Sequence, residues 1–352
     1  MRALVVDDSA VLRRLITTVL SGDPEIEVVG TACDGIEAIQ RVAELRPDVV
    51  TLDVEMPRLD GIGAVEVIHR EHPRLPVIMF STLTERGAAA TLQALSNGAS
   101  DYVAKPTGAG NIGESMAAVR DELVPRIKAL VNARRIASSA APKEVRRRER
   151  RLIEVPPQVL VVACSTGGPD ALSKVLAGLP PSFPLPVLVA QHMPPVFTAQ
   201  FAQRLDRVCP LDVREAAEGD RVEVGRALVA PGDFHLRLSR VAGQVRAGLD
   251  QGEKESFCRP AADPLFRSAA QVYGPAVLAL VLTGMGQDSL LGARAISEAG
   301  GQVVVQDEAT SVVWGMPGSV ATAGLADEVL PLEAIAPRLA TLALGPRTTV
   351  AR

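Results

Sequence analysis

Aromatic residues make up only 3% of the 352-residue chain, which leaves little for the stacked-ring platforms that hold single-stranded nucleic acid. Positive charge is in no excess either. Lys and Arg number 37 against 41 Asp and Glu, a formal net charge of −4. Affinity for nucleic acid rests on neutralising phosphates, so no nucleic-acid partner is expected. The four cysteines (Cys33, Cys164, Cys209, Cys258) are scattered with no CxxC pair, which argues against a disulfide framework or a zinc site. No apolar run approaches the roughly 18 residues of a membrane helix, so no direct membrane insertion is expected. The opening MRALVVDD reaches acidic residues at once and does not read as a signal peptide. A cytoplasmic location is the resulting expectation. Hydrophobic residues make up 47%, enough for real cores, and the length suggests two domains.

The first stretch alternates short β-rich runs with helical patterns. Strands are expected at Ala3–Val6, Val28–Val29, Asp48–Leu52, Val77–Phe80 and Tyr102–Ala104. Val11, Leu12, Leu15, Ile16, Val19 and Leu20 recur at helical spacing behind Ser9, a plausible cap. Further helical patterns fall around 35–45, 62–70, 86–96 and 113–131. This alternation predicts a parallel, doubly wound sheet. Between about 132 and 156 the pattern stops. ASSAAP, the basic run with Lys143, Arg146, Arg147, Arg148, Arg150 and Arg151, and VPP read as a linker. A second α/β region follows, with runs at Val159–Ala163, Val187–Ala190, Ala227–Ala230, Val277–Leu282 and Val303–Val305, and a hairpin at Leu236–Leu238 and Gln244–Arg246.

Asp7 and Asp8 follow the first expected strand and Asp53 follows the third. In a sheet of order 2-1-3-4-5 those strands flank the switch point, so the three acids converge in one crevice. Converging carboxylates repel and suit a hard cation such as Mg2+. Ser81 and Thr82 follow the fourth strand and Lys105 the fifth, where a hydroxyl and an ammonium can contact phosphoryl oxygens on Asp53. The set DD, LDVEMPRLDG, ST and KP resembles the receiver domain of two-component response regulators over about residues 1–107. The resemblance implies a flavodoxin-like fold, with Asp53 as phosphoacceptor. Mg2+ would be held by Asp8, Asp53 and the Glu55 backbone carbonyl, with Asp7 behind them or bridging through water. Thr82 and Lys105 would be the switch residues, and a sensor histidine kinase the phosphoryl donor.

Three residues follow strands of the second region: Ser165 in ACSTGGP, His192 in AQHMPP and Asp288 in LTGMGQDS. If those strands are parallel, their ends share one edge and the three can meet. Serine needs an adjacent base, and a His oriented by a carboxylate supplies one. Gly167 and Gly168 allow a tight turn with amides at a helix N-terminus, which can stabilise an oxyanion. Other readings stand beside this. STGG can cradle a phosphate, His192 can be structural, His235 is the rival base, and Asp288 can cap a helix beginning near Ser289. The order Ser…His…Asp departs from that of ordinary α/β-hydrolases.

ACSTGG, QHMP, APGDFHL, RPAADPLF, LTGMGQD and VVWGMPG together resemble the catalytic domain of chemotaxis protein-glutamate methylesterases of the CheB type, over about 157–343. The resemblance implies a doubly wound, mainly parallel α/β catalytic domain at 157–345, joined to the receiver by a helix and flexible linker at 108–156. It implies Ser165 as nucleophile, His192 as base and Asp288 as its orienting acid, with no cofactor in this domain. Thr166 and Met285 would line the site and contribute amides to the oxyanion hole. It departs at Ala163 and Ser289, where glycine is usual, and altered loop packing is expected there. The implied substrates are glutamate methyl esters, and by the same acyl route glutamines, on methyl-accepting chemotaxis receptors. The unphosphorylated receiver is expected to lie over the Ser165 site. A response regulator with a non-catalytic binding output and a receiver-linked serine peptidase are the competing readings.

Overall fold

The structure, a computed structural model, describes residues 1–106, 112–139 and 155–345. The chain divides into two units, Met1–Ala140 and Ala141–Arg352.

The first unit runs β1 (Arg2–Val6), α1 (Ala10–Ser21), β2 (Glu27–Ala32), α2 (Gly35–Leu45), β3 (Val49–Asp53), α3 (Gly61–Glu71), β4 (Val77–Ser81), α4 (Glu85–Ser96), β5 (Asp101–Ala104) and α5 (Ile112–Ser139). Its sheet has the order β2-β1-β3-β4-β5 and every pairing is parallel. β3 and β4 are buried along their whole length. Helices cover both faces of such a sheet, so its strands read as continuous apolar runs. Ser9 caps α1, accepting from the Leu12 N–H at 3.4 Å, and Asp34, Asp60 and Thr84 cap α2, α3 and α4. Each supplies an acceptor that the first helical turn lacks. α5 continues to Ser139, beyond the 113–131 expected from spacing and into the stretch read as linker. The Arg134 side chain donates to the Asp48 carbonyl at 3.4 Å and Arg135 pairs with the Asp48 carboxylate at 3.5 Å. These polar ties carry no apolar period, so spacing alone did not register them. The basic cluster from Lys143 to Arg151 lies outside the described residues.

The second unit runs β6 (Val159–Cys164), α6 (Gly168–Ala177), β7 (Val187–Gln191), α7 (Phe197–Val208), β8 (Asp212–Glu215), β9 (Arg226–Val229), β10 (His235–Val241), β11 (Gln244–Asp250), α8 (Ala262–Tyr273), β12 (Val277–Val281), α9 (Leu290–Glu298), β13 (Gln302–Gln306), α10 (Gly315–Thr322), β14 (Glu328–Leu330) and α11 (Leu332–Ala343). Seven strands form one sheet in the order β14-β13-β12-β6-β7-β9-β8, parallel throughout. β10 and β11 pair as a separate antiparallel ribbon. β8 and β14 were not expected as strands. Both are short, incompletely buried sheet edges, so neither carries an apolar run. Ala163, expected to alter loop packing, instead lies within β6, one residue from its end, buried between Ala190 and Val281. The chain leaves β6 toward β7 on one side and later returns to β12 on the other. This switch point sets a crevice beyond the carboxyl ends of β6, β7 and β12. Among the described residues, no helix is long and apolar enough to cross a membrane.

Candidate functional site

In the first unit, oxygens of Asp7, Asp8 and Asp53 lie within 4.8 Å of one another. Lys105 reaches in behind β5, its Nζ 2.7 Å from Asp53 Oδ1 and 3.2 Å from Asp7 Oδ2. Burial pushes the Asp53 carboxyl up to about 6, opposed by the Lys105 hydrogen bond and reinforced by the Asp7 charge. Burial also raises Asp7 against the pull of Lys105. Among the described residues, Asp7 Oδ2 is buried without a hydrogen bond of good geometry. A cluster of hard oxygen donors with more negative charge than one ammonium can neutralise fits Mg2+. A pocket of about 190 Å³ opens beside it, lined by Asp8, Asp53, Glu55, Thr82 and Lys105 among others. The Glu55 side chain is not part of the cluster. It is exposed, 3.6 Å from Arg86 Nε, which leaves its backbone carbonyl as the group that can serve a cation. The two hydroxyls after β4 part ways. Ser81 is buried and donates to the Gly87 carbonyl at 3.2 Å, whereas Thr82 is exposed and bonds Thr84 Oγ1 at 3.2 Å.

In the second unit, Cys164 and Gln191 pair in register at the ends of β6 and β7. Ser165 and His192 therefore leave the sheet side by side. The His192 N–H donates to the Cys164 carbonyl at 3.2 Å, and Gln191 Nε2 bridges the carbonyls of Ser165 and His192 at 3.1 and 3.2 Å. Gly167 adopts φ +75, and a Cβ there would sit 2.6 Å from Val312 Cγ2. The turn thus requires glycine both sterically and conformationally. The Gly168 N–H, expected to face the crevice, instead closes the turn onto the Ser165 carbonyl at 2.7 Å. Removing that amide from the crevice leaves fewer donors for an oxyanion than the STGG motif suggests.

Asp288 is almost wholly buried. Its Oδ2 lies 2.6 Å from His192 Nε2. The same carboxylate accepts from the N–H groups of Ala262 at 2.5 Å, Asp263 at 3.0 Å and Ser289 at 2.9 Å. The first two open α8, so Asp288 caps a helix that precedes it in the chain as well as bonding the N–H that follows it. Burial opposes its ionisation, but His192 and these amides hold the carboxyl below the usual range. Burial likewise opposes a charged His192. The Cys258 sulfur and the Asp288 carboxylate outweigh it and push the imidazole up to about 10. Cys258 Sγ lies 3.4 Å from His192 Nδ1. Sequence reasoning had weighed that cysteine only for disulfides and zinc, and no motif marks it.

Ser165 is half-buried, and its hydroxyl forms no hydrogen bond among the described residues. The loop after β12 passes directly against it, since a Cβ on Gly284 would lie 2.9 Å from Ser165 Cβ. That close approach puts Met285 at the rim, half-buried, with an N–H that donates to no described backbone carbonyl. Thr166 is buried, its carbonyl accepting from Thr283 Oγ1 at 2.9 Å. The rival base His235 is fully buried. Its Nε2 faces the Glu253 carbonyl at 2.9 Å and its Nδ1 the Ala261 N–H at 3.2 Å. With both ring nitrogens committed to backbone, His235 is a structural residue.

A family model described as CheB methylesterase matches residues 160–339, and one described as response regulator receiver domain matches residues 3–117. The chain belongs to the CheB methylesterase family. The protein-glutamate methylesterase/protein-glutamine glutaminase of Nocardioides sp. is 54% identical over 345 residues, 96% of this chain and 94% of that one. The protein of the same name from Pyrococcus abyssi is 44% identical over 338 residues, 95% of this chain and 91% of its own. The crystal structure of the Thermotoga maritima CheB methylesterase catalytic domain superposes with a TM-score of 0.52 at 44% identity, covering 53% of this chain and all of that one.

Proposed function

We propose that the chain is a cytoplasmic, phosphorylation-regulated protein-glutamate methylesterase that also deamidates glutamine. Its substrates are side chains on the helices of methyl-accepting chemotaxis receptors, and its phosphoryl donor is a sensor histidine kinase. The observation that carries this reading is the 2.6 Å bond between His192 Nε2 and buried Asp288, beside a serine brought alongside His192 by strand register.

In this reading His192 keeps Nε2 on Asp288 and turns Nδ1 from Cys258 to Ser165. Ser165 Oγ attacks the ester carbonyl as His192 takes its proton. The oxyanion that forms is met by the amides of Met285 and Thr166, a kind of donor worth about 2.7–4 kcal/mol each in the transition state. His192 then returns the proton to the departing methoxide, and methanol leaves. Water, deprotonated by His192, attacks the acyl-serine and frees the glutamate carboxylate and Ser165. With a glutamine substrate the same acyl-serine forms and ammonia leaves instead. A positioned base of this kind contributes about 10²–10⁴-fold.

In the receiver, Asp8, Asp53 and the Glu55 carbonyl would hold Mg2+, with Asp7 behind them. The bound ion would supply charge neutralisation for a phosphoryl group arriving on Asp53. Lys105 and Thr82 would contact that group. The added charge reorders the loops around it and lifts a restraint that the unphosphorylated receiver imposes on the esterase. The test is methanol release from methylated receptor with and without acetyl phosphate. Ser165→Ala is expected to release none above background. Wild-type release by that variant would overturn the nucleophile.

A further inference from the structure

Phe257 is 96% exposed, although a free aromatic ring is normally buried. It does not sit on a loose loop. Glu255 and Cys258 bond each other through both backbone pairs, at 3.2 and 2.9 Å, which closes a two-residue turn around Ser256 and Phe257. Both central residues have positive φ, +50 and +64, the sign pattern of a type I′ turn that Asn-Gly normally fills. Neither residue here is glycine, so the backbone is held in a costly conformation while an apolar ring points into water. The turn is pinned on both sides. The Glu255 carboxylate pairs with Arg267 of α8 at 2.6 Å, and Cys258 Sγ rests 3.4 Å from His192 Nδ1. Strain held at a site of this kind points to function.

We infer that Phe257 is the residue that engages the helical protein substrate, seating against an apolar side chain one helical turn from the esterified glutamate. The inference rests on the reading of Ser165 as the nucleophile acting on such helices. Ser165 is recessed at the end of β6, so a methyl-ester side chain must reach inward while its helix stays on the rim. Phe257 is exposed on the turn that carries Cys258, one residue from the thiol that touches the base. Residues three or four apart share a helix face, so one face can present both the ester to Ser165 and an apolar group to Phe257. An aromatic anchor held rigidly in place loses little entropy on contact. The turn therefore selects helical substrates over isolated ester side chains.

The experiment compares kcat/KM on methylated receptor with kcat/KM on a small soluble ester, N-acetylglutamate γ-methyl ester, in the full chain with acetyl phosphate present. Phe257→Asn suits the left-handed backbone and removes the ring, and Phe257→Trp keeps an aromatic. The ratio of receptor to small-ester kcat/KM is expected to fall about tenfold for the Asn variant, through KM, and to hold for the Trp variant. A ratio within about twofold of wild type for Phe257→Asn overturns the role of Phe257. Ser165→Ala run on the small ester separates the two readings. Hydrolysis surviving in that variant indicts the nucleophile and leaves the docking result to be read from Phe257 alone.

Discussion

The carboxylate of Asp288 holds His192 and, through the amides of Ala262 and Asp263, the first turn of α8. One buried acid thus fixes the imidazole to a helix that has no side-chain cap of its own. The orientation of the His192 ring and the seating of α8 are coupled through a single group.

Asp288→Asn therefore carries two costs. An amide presents N–H groups where the native oxygens accept four donors, and it removes the charge facing the imidazole. Methanol release is expected to drop on the order of 10⁴-fold, the loss typical when a triad acid becomes an amide. Thermal unfolding should report a loss of about 1–2 kcal/mol for the uncapped helix. Activity within tenfold of wild type would mean that Asp288 does not orient the base.

The contact of Cys258 with His192 predicts a pH effect. The imidazole is pushed up to about 10 in part by Cys258, so its protonated form stabilises the fold. That contribution is full below the unfolded value near 6.5 and is lost as pH rises through about 10. The neutral imidazole that the proposed mechanism requires grows over the same range, so activity should climb with pH. Cys258→Ala removes one raising influence, and the ascending limb of kcat/KM is expected to move to lower pH with higher activity near pH 7. A limb that stays in place, or moves upward, would show that the sulfur does not restrain the ring.

Ser289 adopts φ +84 and buries its hydroxyl without a partner among the described residues. Both features disfavour serine, since the left-handed region suits glycine and an unpaired buried hydroxyl loses its water. Ser289→Gly is expected to raise the stability of the second unit by about 1–2 kcal/mol. Calorimetric unfolding checks the sign, and a destabilised variant would contradict it.

The acidic cluster predicts that phosphorylation of the receiver needs Mg2+. Chelation with EDTA should abolish phosphoryl incorporation from acetyl phosphate, and Asp53→Asn should abolish it with Mg2+ present. Asp8→Asn should weaken Mg2+ binding by about tenfold or more in a calorimetric titration, because it removes one of few anionic oxygens. Undiminished Mg2+ affinity in Asp8→Asn would remove that residue from the ligand set.

Much of this molecule was legible before folding was considered. Hydrophobic period is a local property, so the buried strands β1, β3, β4, β6, β7 and β12 and the capped helix behind Ser9 follow directly from residue order. Asp53, Ser165 and His192 could be placed at strand ends for the same reason. Partnerships across the chain were not legible. Nothing near residue 288 announces that its carboxylate caps α8, that Cys258 abuts a histidine 66 positions away, or that Gly168 spends its amide inside its own turn. Those contacts are decided by how β6, β7, β12 and α8 pack, because burial forces each polar group to the nearest partner that the fold supplies rather than to the nearest one in sequence.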